Sequence, residues 1–497
     1  MFMTRSSVIQ TRFSSHVRLS RDGKRRLSLV ACVFFASGLM CWSVMVEGPK
    51  LTLAIAVIPL VLPFMVAYAA AIGSGIMDPT ALFPAFFGMY NGVILIRFLS
   101  DDARSHLSYP VTFDPEVFFR AGVLSALGAI FIAITWAVWK PPVHKKFVVR
   151  DVTGWFTVGT MFYAIGVLLY FLQYLQIGGY WAALAMNRVE RFQRMTETFS
   201  LPHTTFVLVG LAMMAASGRN RGLKRTATLL MTAFWCVIVM GQGDRRMVLQ
   251  ALFAVVCAMF VVARSARMKV MHLLLAIVAY AAFSIAGELR LLIPSLAGGR
   301  AVYSVVSDSF PHHRVSDFSD TDFLLDSIKP EYTELAGPYL SVLYNAEQVR
   351  DYIFGSSYAG TIFTFLPRVL YPGTKPLSPA EQLEFDMHRG SGPVSGWGYS
   401  PIAEAFLNFG LPGVCIISSL WMGAFIVLSG LRNFDWGLVA AAVLSSESVN
   451  VNRIDFRTVY LESFFCVVGV LLAALIVRTL YPRTHKPVES QMVQFAR

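Results

Sequence analysis

The chain has 497 residues, of which 56% are hydrophobic and 14% charged, with a formal net charge of +12. That balance excludes a water-soluble domain, whose surface would need far more charge around a core of this size. Nucleic-acid binding is not implied by the net charge either, because lysine and arginine lie in short blocks between apolar runs and do not cover one face.

Each apolar run of about 20 residues crosses roughly 30 Å of hydrocarbon as a helix, the form in which backbone groups bond within their own segment. The basic stretch Arg18, Arg21, Lys24, Arg25 and Arg26 precedes the first run, Leu27 to Val46. This run is too long for a signal peptide and lacks a small-residue cleavage site, so it reads as an uncleaved span. Cys41 follows Met40, where a lipoprotein cysteine needs a small residue, and it lies mid-span.

Further runs fall at about 51–72, 79–99, 118–138, 152–175, 203–217, 226–241, 247–263, 270–287, 402–430, 438–452 and 459–479. The predicted fold is an all-α integral membrane protein of about 12 transmembrane helices with one large outer loop region. Its divisions are a basic tail at 1–26, spans one to nine over 27–287, the loop region 288–401, the last three spans over 402–479, and a tail at 480–497. The runs at 203–217 and 438–452 are short, and the second contains Ser445, Ser446, Glu447 and Ser448, so one of them reads as a half-helix or re-entrant segment.

Connector charge sets the orientation. Basic residues crowd 1–26, 140–150, 218–225, 264–269 and the C-terminal tail, which places these segments and both termini on the cytoplasmic side of the membrane. The connector 100–117 carries Asp101, Asp102, Asp114 and Glu116 against Arg104 and falls on the periplasmic side, with 288–401. Cys32, Cys41, Cys236, Cys257, Cys415 and Cys466 all sit in or beside apolar runs, without metal-ligand spacing or a disulfide framework.

The outer side carries more arginine than the positive-inside trend allows. Arg188, Arg191 and Arg194 recur every third residue, along one side of a helix if that connector is helical. Arg245 and Arg246 occupy a tight turn, Arg290 follows the ninth run with Glu288, and Arg389, Arg453 and Arg457 lie in later outer connectors. Arginine's planar fork holds diphosphate oxygens through parallel bonds, so convergence of several suits a lipid-linked diphosphate; singly, each also fits snorkelling to phospholipid headgroups.

In the loop region, His312, His313, Asp317, Asp320, Asp322 and Asp326 form a polar cluster. Asp320 and Asp322 have the spacing of a divalent-metal site, but a solvated loop explains them as well, and no metal is expected. Three prolines between Leu366 and Pro376 exclude a regular helix there. A glycine-rich run from Gly390 to Gly398 follows, and then a helix with Ser400 as N-cap and Pro401 at its first position. Glu404 on that helix is either an acid–base group for a sugar hydroxyl or a structural ion-pair partner.

The sequence Pro367-Arg-Val-Leu-Tyr-Pro-Gly-Thr-Lys-Pro, the glycine-rich run, and Tyr399-Ser-Pro-Ile-Ala-Glu-Ala-Phe-Leu-Asn-Phe-Gly-Leu-Pro-Gly resemble the Wzy-type polymerases of O-antigen and exopolysaccharide repeat units. The turn Gly243-Asp-Arg-Arg before an apolar helix is similar to a motif of the same group, shared with O-antigen ligases. The resemblance implies the fold of membrane-embedded C-class glycosyltransferases and a metal-independent, inverting glycosyl transfer at the periplasmic face that needs no cofactor. Undecaprenyl-diphosphate-linked oligosaccharide is the implied donor and acceptor, with membrane lipid, a chain-length regulator and a flippase as candidate partners.

The resemblance assigns Arg245, Glu404 and, more loosely, Arg188, Arg191 and Arg194 to the site. Displacement at a sugar C1 builds charge on the leaving diphosphate, which adds Arg290 to the catalytic candidates and Arg246, Arg389 and Arg457 to the binding ones. His388 is a further acceptor-side candidate, while Trp397 and Tyr399 are candidates for stacking on sugar faces or for interfacial anchoring. A ligase acting on lipid A core, a flippase or transporter, and a non-catalytic docking partner remain the competing expectations.

Overall fold

The computed structural model describes residues 21–44, 49–99, 114–139, 154–186, 191, 194, 202–217, 222–242, 244–263, 332–347, 352–362, 378–380, 382–383, 398–432 and 434–481. The ninth apolar run, 270–287, lies outside them, as do the connectors 100–113 and 140–153.

The protein is a helical membrane protein. In chain order the helices are α1 (Arg21–Val44), α2 (Pro49–Ser74) and α3 (Pro79–Phe87), which passes through a π-helical turn (Gly88–Val93) into α4 (Ile94–Leu99). Then come α5 (Pro115–Val138), α6 (Trp155–Leu175), α7 (Tyr180–Ala185), α8 (His203–Ala216), α9 (Leu223–Gly241) and α10 (Arg245–Ala263). The C-terminal part supplies α11 (Tyr332–Glu347), α12 (Ser356–Ile362), α13 (Pro401–Leu431), α14 (Asp435–Leu444), α15 (Glu447–Asn450) and α16 (Phe456–Leu480).

Among the described residues, 7 helical stretches are long and apolar enough to cross a membrane: Ile55–Ser74, Pro79–Ile96, Pro115–Val138, Trp155–Leu175, Leu223–Gly241, Pro401–Leu431 and Phe456–Leu480. Shorter apolar helices cover Ser28–Leu39, His203–Ala216 and Arg246–Phe260. Their outward faces present side chains such as Phe34, Tyr68, Leu168, Leu230 and Leu475 to the surroundings, as a lipid solvent requires.

Two apolar cores divide the bundle. The first joins α1–α5, α11 and α13 around Ile55, Phe87, Leu95, Ala129, Tyr339 and Ile402. The second joins α6, α8–α10, α14 and α16 around Phe162, Tyr170, Leu208, Trp235, Ala254 and Val439. The two halves meet where α13 packs on α14 and where α15 packs on α3. Within 288–401, read from sequence as one loop region, α11 turns Tyr339, Leu340, Val342 and Leu343 into the first core.

Without a hydrophobic drive between helices in lipid, close backbone approach supplies the contact. The α6–α8 pair shows this, since a Cβ on Gly210 would lie 2.6 Å from both the Gly159 carbonyl oxygen and the Tyr163 amide. Gly210→Ala should therefore destabilise the fold by about 1–3 kcal/mol. Gly73→Ala, where nothing lies within 4 Å, serves as the control. Equal melting temperatures for the two variants in nanodiscs would refute this packing.

One helix is broken and another is tightened. α13 takes a non-helical conformation at Gly410, φ 66° and ψ −152°, two residues before Pro412. Tyr352 fills the space beside Gly410, where a Cβ would meet its ring and hydroxyl at 2.8 Å. The short run at 438–452, a candidate half-helix from sequence, keeps helical angles through Ser445 and Ser446 (φ −63°, ψ −28° and −29°) and only tightens there, the Ser448 and Val449 amides bonding three residues back. Ser445, Ser446, Glu447, Ser448, Asn450, Asn452 and Asp455 are all buried, an unusual polar content for an apolar bundle.

Contacts at the helix ends fix the alternation. Asp78 before α3 pairs with Arg432 after α13, and Trp139 after α5 packs on Gly423 late in α13. Tyr481 after α16 packs on Gly154 before α6. The first residues of α13, α16 and α10 lie at the opposite end of the bundle.

Candidate functional site

The site is built at that opposite end, on the seam between the two cores, and Glu404 is its centre. Ser400 caps α13 as its spacing predicts: its side chain accepts from the Ile402 amide, with Pro401 at the first helical position. Glu404 therefore sits one turn into the helix, at 1% exposure. Its Oε1 accepts from the Ser357 hydroxyl at 2.8 Å, and its Oε2 accepts from the Phe456 amide at 2.9 Å. The second bond satisfies an otherwise orphaned N–H in the first turn of α16, beside the N-cap Asp455. One carboxylate thus ties α12, α13 and α16 together across the seam.

Asn408, four residues on and so on the same helix face, extends this cluster. Its Nδ2 donates to the Ser357 Oγ at 2.8 Å and to the Glu404 carbonyl at 2.7 Å. Tyr358 stacks on Phe409 at 6.2 Å and meets Phe456 edge-on at 4.9 Å. Burial, with the charges of Glu404 and Tyr399 adding to it, pushes the Tyr358 phenol well above its ordinary range, so it remains an O–H donor.

A second polar group adjoins on the other core. Arg246 on α10 pairs with Glu462 on α16 at 2.8 Å, with side chains 29% and 24% exposed. Gln250, one turn along α10, donates to Glu462 at 2.7 Å and to Glu447 at 3.4 Å. Asp244 receives the Arg246 and Met247 amides, so the tight turn predicted before α10 is an aspartate-capped helix start. Arg191 reaches the same turn: one guanidinium nitrogen donates to the Gln242 side chain and the other to the Gln242 carbonyl at 2.6 Å. Asp455 and Glu447 lie within electrostatic range of Arg246, which links this group to the Glu404 cluster.

The predicted residues separate clearly. Glu404, Arg191 and Arg246 come together at one end of the bundle. Arg457 and Arg453 stand at the start of α16 and just before it, half-buried, and the Arg453 carbonyl accepts from the Tyr399 amide at 2.9 Å. Arg194 is helical and exposed, with Arg191 one turn away. Arg245 is the first residue of α10 and only its backbone is described. Arg188, Arg290, His312, His313, Asp320, Asp322, His388, Arg389 and Trp397 lie outside the described residues.

Tyr399 requires a correction. At 2% exposure its ring is enclosed and its hydroxyl accepts from Asn345 Nδ2 at 2.8 Å, so it braces α11 against the start of α13 and offers no open face for stacking on a sugar. Ser357, Tyr358, Asn408 and Glu462 are participants that the sequence reading missed. Asn408 is visible as the i+4 partner of Glu404, and Glu462 as a carboxylate inside an apolar span. Ser357 and Tyr358 carry no local signal. Among the described residues, no group of three or more His, Cys, Asp or Glu side chains is arranged to hold a metal ion.

Comparison with known proteins adds no relative: no protein-family model, no characterised protein and no solved structure matches this chain.

Proposed function

We propose that this chain is a membrane-embedded glycosyltransferase of the repeat-unit polymerase type, joining undecaprenyl-diphosphate-linked oligosaccharides at the periplasmic face of the inner membrane. The observation that carries this reading is the placement of Arg191, Arg246, Arg453 and Arg457, from three separate connectors, at the same end of the bundle as the buried carboxylate Glu404. In the reaction a sugar hydroxyl oxygen bonds to C1 of the donor sugar and the C1–O bond to phosphate breaks. The diphosphate leaves with the electron pair, and the hydroxyl proton passes to a base, which we assign to Glu404. Guanidinium groups already in place favour the charge that develops on the leaving group. The helix starts of α10, α13 and α16 add partial positive charge at the same end.

The break in α13 also favours a second reading, a lipid-linked-oligosaccharide flippase, because transporters build substrate sites from discontinuous helices. The lipid-linked glycans of a deletion strain separate the two. A polymerase leaves single repeat units on the outer leaflet, whereas a flippase strands them on the cytoplasmic leaflet. Long undecaprenyl-linked polymer would instead indicate a ligase, and an unaltered pattern would sink all three. Complementation with Arg246→Ala should lower polymer formation about a hundredfold or more, the scale of losing one transition-state donor. Arg246→Lys, which keeps charge but not the fork, should restore only part of it.

A further inference from the structure

The bonding around Ser357 leaves a specific question open. Its hydroxyl donates to Glu404 Oε1 and accepts from Asn408 Nδ2, both at 2.8 Å. A sugar hydroxyl placed for attack would need that same pair, a carboxylate to receive its proton and an N–H to fix its oxygen. Two further polar atoms in the same cluster are buried and make no hydrogen bond among the described residues, Asn408 Oδ1 and the Tyr358 hydroxyl. Asn408 is 0% exposed, and its Nδ2 is held by two acceptors, so the unused oxygen is not an amide assigned the wrong way round. Each such unused buried donor or acceptor costs about 1–3 kcal/mol, which a bound partner for both would recover.

The element carrying Ser357 and Tyr358 is short and entered through an unusual turn. α12 has only 7 residues, and its entry turn is strained: Phe354 has φ 44°, a conformation that non-glycine residues rarely adopt, and Gly355 follows at φ 82°. The Ser357 bonds, the Tyr358 ring contacts and the Ile353 amide on the Leu407 carbonyl tie it to the seam. Displacing the Ser357 hydroxyl exchanges one donor for another at Glu404 and needs no change in charge.

We infer that Glu404, Asn408 and Tyr358 form a hydroxyl-binding subsite for one pyranose ring, and that the Ser357 side chain holds it in the absence of sugar. One ring hydroxyl takes the place of the Ser357 Oγ between Glu404 and Asn408 Nδ2. A neighbouring hydroxyl donates to Asn408 Oδ1 and accepts from the Tyr358 phenol, while Phe409 and Phe456 provide the apolar flanks. The assignment to the acceptor sugar, as opposed to any sugar, rests on the polymerase reading.

The test uses the full chain in nanodiscs and a panel of methyl pyranosides (glucoside, galactoside, mannoside, rhamnoside and N-acetylglucosaminide), with binding followed by saturation-transfer NMR. At least one should bind. Tyr358→Phe should weaken that binding about tenfold, one hydrogen bond, and Ser357→Ala should tighten it by removing the internal competitor. A single cooperative unfolding transition in each confirms that both variants fold, with Ser357→Ala melting lower because Glu404 Oε1 loses its donor. Binding to none of the panel, unaltered binding in Tyr358→Phe, or weaker binding in Ser357→Ala would each overturn the subsite. If pyranosides bind here as expected while the deletion strain shows no stalled repeat units, the subsite stands and the polymerase reading falls.

Discussion

Asp78→Ala should destabilise the protein by about 3–5 kcal/mol, the cost of stranding a buried charge. Asp78 is 1% exposed and caps α3, accepting from the Thr80 amide at 2.9 Å and its hydroxyl at 2.5 Å. Its second oxygen takes the Ser429 hydroxyl at 2.8 Å and the Arg432 guanidinium, whose side chain is 13% exposed. The carboxylate thus holds the start of α3 to the end of α13. Arg432→Ala should be costly for the complementary reason, and the double variant should lose less than the sum of the two, because neither charge is then left alone. Unfolding in nanodiscs measures all three. Glu116→Ala gives the contrast: its pair with Arg120 is 70% and 47% exposed, so its loss should cost no more than about 1 kcal/mol. Similar effects at the two pairs would show that the Asp78 contact does not carry the load assigned to it.

Glu404→Ala and Glu404→Gln should separate bracing from chemistry. Alanine leaves the Ser357 hydroxyl and the Phe456 amide without their acceptor, each at a cost of about 1–3 kcal/mol, and should both lower the melting temperature and abolish polymer formation. Glutamine keeps an oxygen for the Phe456 amide and turns an NH2 toward the Ser357 Oγ, which has a lone pair to receive it. Its fold should therefore stay within about 1 kcal/mol of the parent, the value of one hydrogen bond. Without a carboxylate to take a proton, it should still accumulate single repeat units. Full-length polymer from Glu404→Gln would reduce Glu404 to a brace.

The local features of this chain were legible because they depend on neighbours in sequence. Every apolar run within the described residues is helical, Ser400 and Pro401 open α13, and the serines at 445–446 fall where the short run at 438–452 tightens. The arginine turn before α10 was visible in the same way, although its Asp244 cap and its tie to Arg191 were not. What escaped depends on convergence from far apart. Ser357 lies 47 residues before Glu404, and Phe456 lies 52 residues after it and contributes only a backbone amide, which no side-chain pattern announces. α11 escaped for a different reason: its polar residues Ser341 and Asn345 are spent inside the protein, on the Ser400 amide and the Tyr399 hydroxyl, so a segment polar enough to suggest a loop is buried.

The break at Gly410 sets a depth. From Leu411 to Leu431 the helix rises roughly 30 Å at 1.5 Å per residue, which by itself traverses the oily interior of a bilayer. The residues ahead of the break, Pro401–Phe409, are then surplus to the crossing, which leaves Glu404 toward one end of the bundle and out of its oily middle. On the proposed glycosyl-transfer reading, a prenyl chain stays dissolved in the lipid while its first sugars approach Glu404 from the side.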